Sequence, residues 1–226
     1  MTREIGTLLS PDMARAYRDG RKHMTRRVVK PQPPADAERW GPNSYEGPEG
    51  PSWWWFKGNI MVKKSCVWPD PKKNRPMSCP YGKRGNILRL KTTWAVPAMY
   101  DTLPPCKLPA DVLFWSIFDG DKKPEGFGRL RPGRFCPKFL WRNLPACENA
   151  GVRVERVQDI TVKDAIHEGI DHDATPAELA LIEATGQGDD RHIETFADLW
   201  DSINAQRGYG YDENPWVWVV MFGDRL

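Results

Sequence analysis

Long apolar runs are missing from this chain. No stretch approaches the roughly 20 residues that a membrane-spanning helix needs, and the residues after Met1 show no charged-then-apolar signal pattern. A soluble, intracellular protein with no membrane partner is expected. Cysteine is sparse: five in 226 residues, an odd number without a Cys-x-x-Cys. Free, reduced thiols in a cytoplasm fit this usage better than a disulfide framework. Cys66, Cys79, Cys106, Cys136 and Cys147 also lack paired zinc spacing. The four histidines, His23, His167, His172 and His192, show no ligand spacing. His167 and His172 are expected at an exposed helix end rather than on a metal. No P-loop, dinucleotide glycine fingerprint or His-Glu-x-x-His is present, nor a Gly-x-Ser-x-Gly elbow. Nothing therefore calls for a metal or a cofactor. Strong charge of one sign is lacking too. A net charge of +3 does not by itself announce a nucleic-acid binder.

What is present is tryptophan, 11 residues of it. Tryptophan supplies large apolar area and flat faces for stacking, and most of these rings are expected to fill a core short of Leu and Ile. Charge is uneven along the chain. Arg21, Lys22, Arg26, Arg27 and Lys30 cluster near the N-terminus, Lys122 to Arg142 is basic, and Asp159 to Asp201 is mostly acidic. One end can face phosphates while the other cannot.

Ser10-Pro11 reads as a helix N-cap, with Met13, Ala14 and Tyr17 at helical spacing and Gly20 as the stop. Thr25 to Lys30 reads as a strand. Residues 31 to 58, rich in Pro, Gly and charge, read as a long loop pinned by Trp53-Trp54-Trp55-Phe56. Short strands follow at Asn59 to Lys63, Ile87 to Thr93 and Val112 to Phe118, with loops from Pro69 to Lys83 and Lys122 to Pro137. Val152, Val154 and Val157 mark another strand. Thr161 caps a helix running to Gly169, with Asp164 placed as in a capping box, and Pro176 to Thr185 is a second helix. Glu194 to Gln206 is the clearest helix, with Phe196, Leu199, Trp200 and Ile203 on one face. Trp216 to Phe222 is an apolar strand buried on both faces. The order of elements indicates an α+β fold rather than regular βαβ alternation.

Gly20-Arg-Lys-His-Met-Thr-Arg-Arg27 leaves a helix and enters a strand. Alternation puts Thr25, Arg27 and Val29 on one face and Arg26, Val28 and Lys30 on the other. Lys22 sits where it can fold back toward Thr25. Neighbouring cations and burial both disfavour a charged lysine, and a neutral lysine beside a hydroxyl is one way to activate a weak nucleophile. The bland alternative is a solvated or phosphate-facing basic surface.

Four blocks carry a family resemblance. They are Gly20-Arg-Lys-x-x-Thr25; Val154-Glu-Arg-Val-Gln-Asp-Ile-Thr161 with Asp164-Ala165 and Glu168-Gly169; Phe196 to Gly210; and Asn214-Pro-Trp-Val-Trp-Val219. Cys79-Pro-Tyr-Gly82 and Arg26 to Pro33 add to them. In this order the blocks resemble the ASCH (activating signal cointegrator homology) family, specifically its long phage and prophage members. The resemblance implies one domain over 1–226, an α+β, PUA-like mixed β-barrel flanked by short helices, with long loop insertions at 31–80 and 96–148. It also implies a bacterial or phage-infected cytoplasm. Some small members are amidohydrolases that deacetylate N4-acetylcytidine with a Lys, a Thr three residues later and a Glu in a later helix. Lys22, Thr25 and Glu168 match that pattern and are the implied catalytic residues. Arg21, Arg26, Arg27, Tyr81 and Trp53 are the candidate contacts to substrate or nucleic acid. The implied partner is a modified nucleoside or nucleic acid, RNA before DNA. The alternative is a PUA-like module that holds a modified base without chemistry. Here Arg21, Arg26, Arg27 and the basic 122–142 loop would grip phosphates while Trp53 to Trp55 or Tyr81 stack on bases.

Overall fold

The computed structural model describes residues 3–33, 39–47, 50–57, 60–61, 77–170 and 174–226; for 39–61 and 77–78 it gives strand placement alone. The first strand, β1 (Glu4–Leu8), has no counterpart in the sequence reading. Helix α1 (Pro11–Arg18) begins as expected: the Ser10 side chain accepts from the Met13 N–H, and Pro11 opens the first turn. Gly20, at φ 79°, ends the turn and delivers the chain into β2 (Met24–Val28).

The 31–58 segment is not the expected loop. It carries β3 (Arg39–Gly47) and β4 (Gly50–Lys57), paired antiparallel. The aromatic run has high strand propensity, which overrides the local Pro and Gly content. The short strands β5 (Ile60–Met61) and β6 (Met77–Ser78) both pair with β4. Asn59 and the remainder of the strand expected through Lys63 lie outside the described residues, as does most of the expected 69–83 loop.

Strand β7 (Ile87–Lys91) is followed by the short pair β8 (Trp94–Ala95) and β9 (Trp115–Ser116). The strand expected from Val112 to Phe118 is cut to two residues. Asp119 Oδ2 accepts from both the N–H and the hydroxyl of Ser116, which turns the chain into a 3-10 helix at Ile117–Asp119. The 96–148 segment brings its own small core, including Val96, Leu108, Val112, Leu140 and Leu144 around Trp94. Its last three residues, Ala146–Glu148, already pair with β7 inside β10 (Ala146–Arg156). Then come α2 (Val162–His167), α3 (Pro176–Thr185), α4 (Arg191–Asn204) and β11 (Trp216–Arg225).

The main sheet runs β1-β7-β10-β11-β2, parallel at β1–β7 and antiparallel elsewhere. The fold is α+β. The described residues do not close the expected barrel: β1 and β2 remain the two edges of an open sheet. A side chain links those edges, since the Arg27 guanidinium donates to the Leu8 carbonyl. β11 is buried from Trp216 to Val220, as the continuous apolar run requires. One of its faces joins the core that holds Leu88, Leu90, Trp218 and Val220. The other joins Val217 and Val219 with Met24, Ile170, Phe196 and Trp200, the cluster that seats α2 and α4. Trp94, Trp115, Trp200, Trp216 and Trp218 are buried, so these rings fill core. Among the described residues no helix is long and apolar enough to cross a membrane, and Cys79, Cys106, Cys136 and Cys147 are free thiols.

Candidate functional site

Two chain reversals create the site. After α1 the N–H groups of Arg21 and Lys22 both reach the Ala16 carbonyl, so Lys22 turns inward. At the end of α2 the chain passes through Glu168 and Gly169. Gly169 has φ 80°, and a Cβ there would stand 2.7 Å from the Lys22 Cβ and 2.9 Å from the Ala16 Cβ. Glycine is what lets the two reversals touch. The His23 N–H donates to the His167 carbonyl at 2.8 Å and locks them together.

Lys22 and Glu168 meet at this junction. Lys22 Nζ stands 2.9 Å from Glu168 Oε2 and also donates to the Glu168 main-chain carbonyl. Their side chains are 1% and 7% exposed. Burial pushes the Lys22 ammonium below the usual lysine range; Glu168 pulls the other way, and Arg27 and Arg26 add to the downward push.

Arg26 departs from the sequence reading, which has it on a phosphate-facing surface. Its side chain is 1% exposed and sits among three carboxylates: Glu155 at 2.6 Å, Asp164 at 2.7 Å and Glu168 at 3.3 Å. Burial opposes its charge, but Glu168, Glu155 and Asp164 outweigh that and hold the guanidinium above the usual arginine range. Arg153 closes the cluster, 2.7 Å from Glu155 and also paired with Asp164. This explains a second departure. Thr161 does cap α2 by accepting from the Asp164 N–H, yet the Asp164 carboxylate turns to Arg26 and Arg153 instead of completing the capping box. Each acid in the cluster has a cation, as buried charges require.

A cleft of about 440 Å³ opens over this cluster, within the size range of small-molecule sites. Lys22, Thr25, Arg26 and Glu168 line it, together with Arg27, Val28, Lys30, Tyr81 and Trp218. The opposite wall is the α4 face that carries Phe196, Leu199, Trp200 and Ile203, continued by Asn204 and Arg207. That face divides its labour: Phe196 and Trp200 are buried in the core, while Ile203 is 46% exposed. β2 is an edge strand, and its residues 25–28 line the cleft. Val29 N–H donates to the Trp216 carbonyl and Phe222 N–H to the His23 carbonyl. The antiparallel alternation then turns the main-chain groups of Met24, Arg26 and Val28 away from β11. A planar ligand with donor and acceptor edges can pair with such an edge.

The expected residues thus divide into three groups. Lys22, Thr25, Arg26, Arg27, Tyr81 and Glu168 come together in one cleft. Arg21 does not. It lines a second cavity of about 360 Å³ with His23, His167 and Glu183, and its guanidinium donates to the Gly169 and Ile170 carbonyls. Trp53 lies in β4 opposite Pro42 and Met77, and its side chain is outside the described residues.

Lys22 does not fold back onto Thr25 as expected; its hydrogen bonds go to Glu168. The Thr25 hydroxyl makes no hydrogen bond to any described residue. Within the basic 122–142 loop Lys123, Arg131 and Arg142 donate to main-chain carbonyls of Phe127, Leu103, Tyr100 and Ala110, while Lys122, Arg129, Arg134 and Lys138 are exposed. His167 is partly covered, 3.2 Å from Glu183, rather than exposed, and His172 lies outside the described residues. Among the described residues no group of three or more His, Cys, Asp or Glu is placed to hold a metal ion.

Sequence reasoning missed Lys30 and Arg207 at the mouth and Leu9, Met13 and Trp218 in the walls. Lys30 was legible as the next cation on the β2 alternation. Arg207, beyond the end of α4, carried no such signal. Comparison with known proteins yields no matching family model, no matching curated protein and no matching solved structure.

Proposed function

We propose that this chain is an amidohydrolase of the ASCH, PUA-like kind, which removes an acetyl group from the N4 amine of a modified cytidine nucleoside or nucleotide. The observation that carries the reading is the convergence of Lys22, Thr25 and Glu168 on one cleft, with Lys22 held 2.9 Å from Glu168 and pushed toward its neutral form by burial. A threonine hydroxyl is too basic to attack unaided at neutral pH, so a neutral amine beside it matters.

In the reaction Thr25 Oγ bonds to the acetyl carbonyl carbon while its proton passes to neutral Lys22 Nζ. The C–N4 bond then breaks, and the proton from Lys22 goes to the leaving amine. Water attacks the acyl-threonine and releases acetate. Glu168 orients Lys22 and offsets its charge while it carries the proton. The outward main-chain N–H groups of β2 are available to the oxyanion. The chemistry requires a shift of Lys22 Nζ from its bonds with Glu168 toward Thr25.

A second reading has support from that same geometry. Lys22 spends two donors on Glu168 and none on Thr25, as a structural ion pair would. The cleft would then hold a modified base without turning it over. Incubation with N4-acetylcytidine, followed by chromatography for cytidine and acetate, separates the two. Product formed by the wild type and lost in both Lys22→Met and Thr25→Ala supports hydrolysis. Binding without product, with all three proteins folded, assigns the binding module.

A further inference from the structure

Charge in the cleft is distributed in a pattern that specifies the ligand further. At the floor it cancels. With Lys22 protonated, Lys22 and Arg26 share Glu168, Arg26 also holds Glu155 and Asp164, and Arg153 pairs with those two acids, so three cations meet three carboxylates. A ligand group lying on that floor meets no net charge and gains most from being neutral and hydrogen-bonding. Its sides are apolar or aromatic, with Leu199, Trp200 and Trp218 among them.

At the mouth charge does not cancel. Arg27, Lys30 and Arg207 line the same cleft, and among the described residues no carboxylate pairs with any of the three. Among the described residues Glu168 is the one acidic residue in the lining, and it is already used. Arg27 is anchored by its bond to the Leu8 carbonyl, so its guanidinium is held in place rather than swinging into solvent. Its Nε–H is buried without a partner, a state that an arriving acceptor would relieve. Lys30 lies 5.0 Å from the centroid of the Tyr209 ring, which fixes a second cation on the same rim.

We infer that the cleft takes a phosphorylated ligand: a neutral, planar base on the Lys22–Thr25–Glu168 floor, and a phosphate of the same nucleotide, free or within a strand, between Arg27, Lys30 and Arg207. This rests on the nucleotide reading above and sharpens it, since among the described residues no carboxylate neutralises the three mouth cations and a phosphate would. It places phosphate contacts at the cleft mouth, which neither Arg21 nor the 122–142 loop lines.

The test compares N4-acetylcytidine, its 5′-monophosphate and a short RNA carrying one N4-acetylcytidine. Each is measured as kcat/KM with the wild type and with a Lys30→Ala, Arg207→Ala double variant, at low and high salt. The monophosphate or the RNA is preferred over the nucleoside by about tenfold or more, as expected for charge-assisted contacts. The preference shrinks toward unity in the double variant and in high salt. Preference for the monophosphate identifies a mononucleotide site, and preference for the RNA alone identifies a strand-binding one. Equal kcat/KM for all three, or a preference that survives the double variant, overturns the inference. If no substrate is hydrolysed, cytidine and its monophosphate are titrated against tryptophan fluorescence, Trp200 and Trp218 being in the walls. Tighter monophosphate binding that needs Lys30 and Arg207 then upholds the phosphate site while the hydrolase reading fails; equal or absent binding removes both.

Discussion

Arg26→Met removes the cation that three carboxylates share, and its consequence can be worked from the geometry. Glu155, Asp164 and Glu168 lie within 3.3 Å of the guanidinium, and the Arg26 side chain is 1% exposed. Without it, the three acids are left with Arg153 and, when protonated, Lys22, so at least one negative charge is uncompensated in a largely buried setting. Breaking a buried pair in this way costs about 3–5 kcal/mol, a large part of the roughly 5–15 kcal/mol that holds a domain together. With a urea slope of about 2–3 kcal/mol per molar, the unfolding midpoint should fall by about 1–2.5 M. Urea is preferred to guanidinium because a salt would screen the effect under study. Arg26→Lys should recover part of the loss, because one ammonium cannot reproduce a planar fork that spans three acids. A midpoint for Arg26→Met within the range of a surface pair, under about 1 kcal/mol, would refute the buried cluster as the organiser of this site.

Three further outcomes are expected. Gly169→Ala forces a Cβ to 2.7 Å from the Lys22 Cβ at a φ of 80°; it should cost about 1–3 kcal/mol and lower turnover as well, read by urea melts and product formation on the same samples. Trp200→Ala empties a buried site and orphans the Tyr209 carbonyl that accepts from the indole at 2.8 Å, for a loss of about 3–5 kcal/mol. Burial, then the charge of His167, holds His23 below the usual histidine range, with Glu183 pulling the other way and Arg225 adding to the depression. The unfolded chain therefore takes up that proton first, and stability should decline as pH falls below about 6.5; His23→Gln should flatten the decline in thermal melts from pH 7.5 to 5.

The elements legible in the sequence were those whose signals are local. Ser10-Pro11 marks an N-cap and Pro176 a helix start, and α1 and α3 begin where those residues say. The unbroken apolar run at Trp216 required a strand covered on both faces, and β11 has both. What escaped depends on partners distant in the chain. β1 is held as a strand by β7, more than 80 positions on, and nothing within Glu4–Leu8 announces that. Pro and Gly between 39 and 57 argued for a loop, whereas pairing of β3 with β4 decides the outcome. At the site, the types and order of Lys22, Thr25 and Glu168 were readable, but the destination of each charge was not. Arg26 and Arg27 look alike in sequence, yet one is buried among acids and the other stands at the cleft mouth. That difference follows from strand alternation combined with Glu155 arriving from β10, Asp164 from the first turn of α2 and Glu168 from its C-cap.

The central claim, a Lys22-dependent amide hydrolysis in this cleft, is tested most directly by the pH dependence of turnover on the 5′-monophosphate of N4-acetylcytidine. In the proposed reaction the general base is neutral Lys22, and burial lowers its pKa below the usual lysine value. Activity should thus rise with pH along one proton's titration and level off below the ordinary lysine range near 10.4. It should vanish in Lys22→Met, while that variant still shows the folded wild-type tryptophan spectrum. Cytidine monophosphate released by folded Lys22→Met at the wild-type rate, or no release by the wild type at any pH, would contradict it.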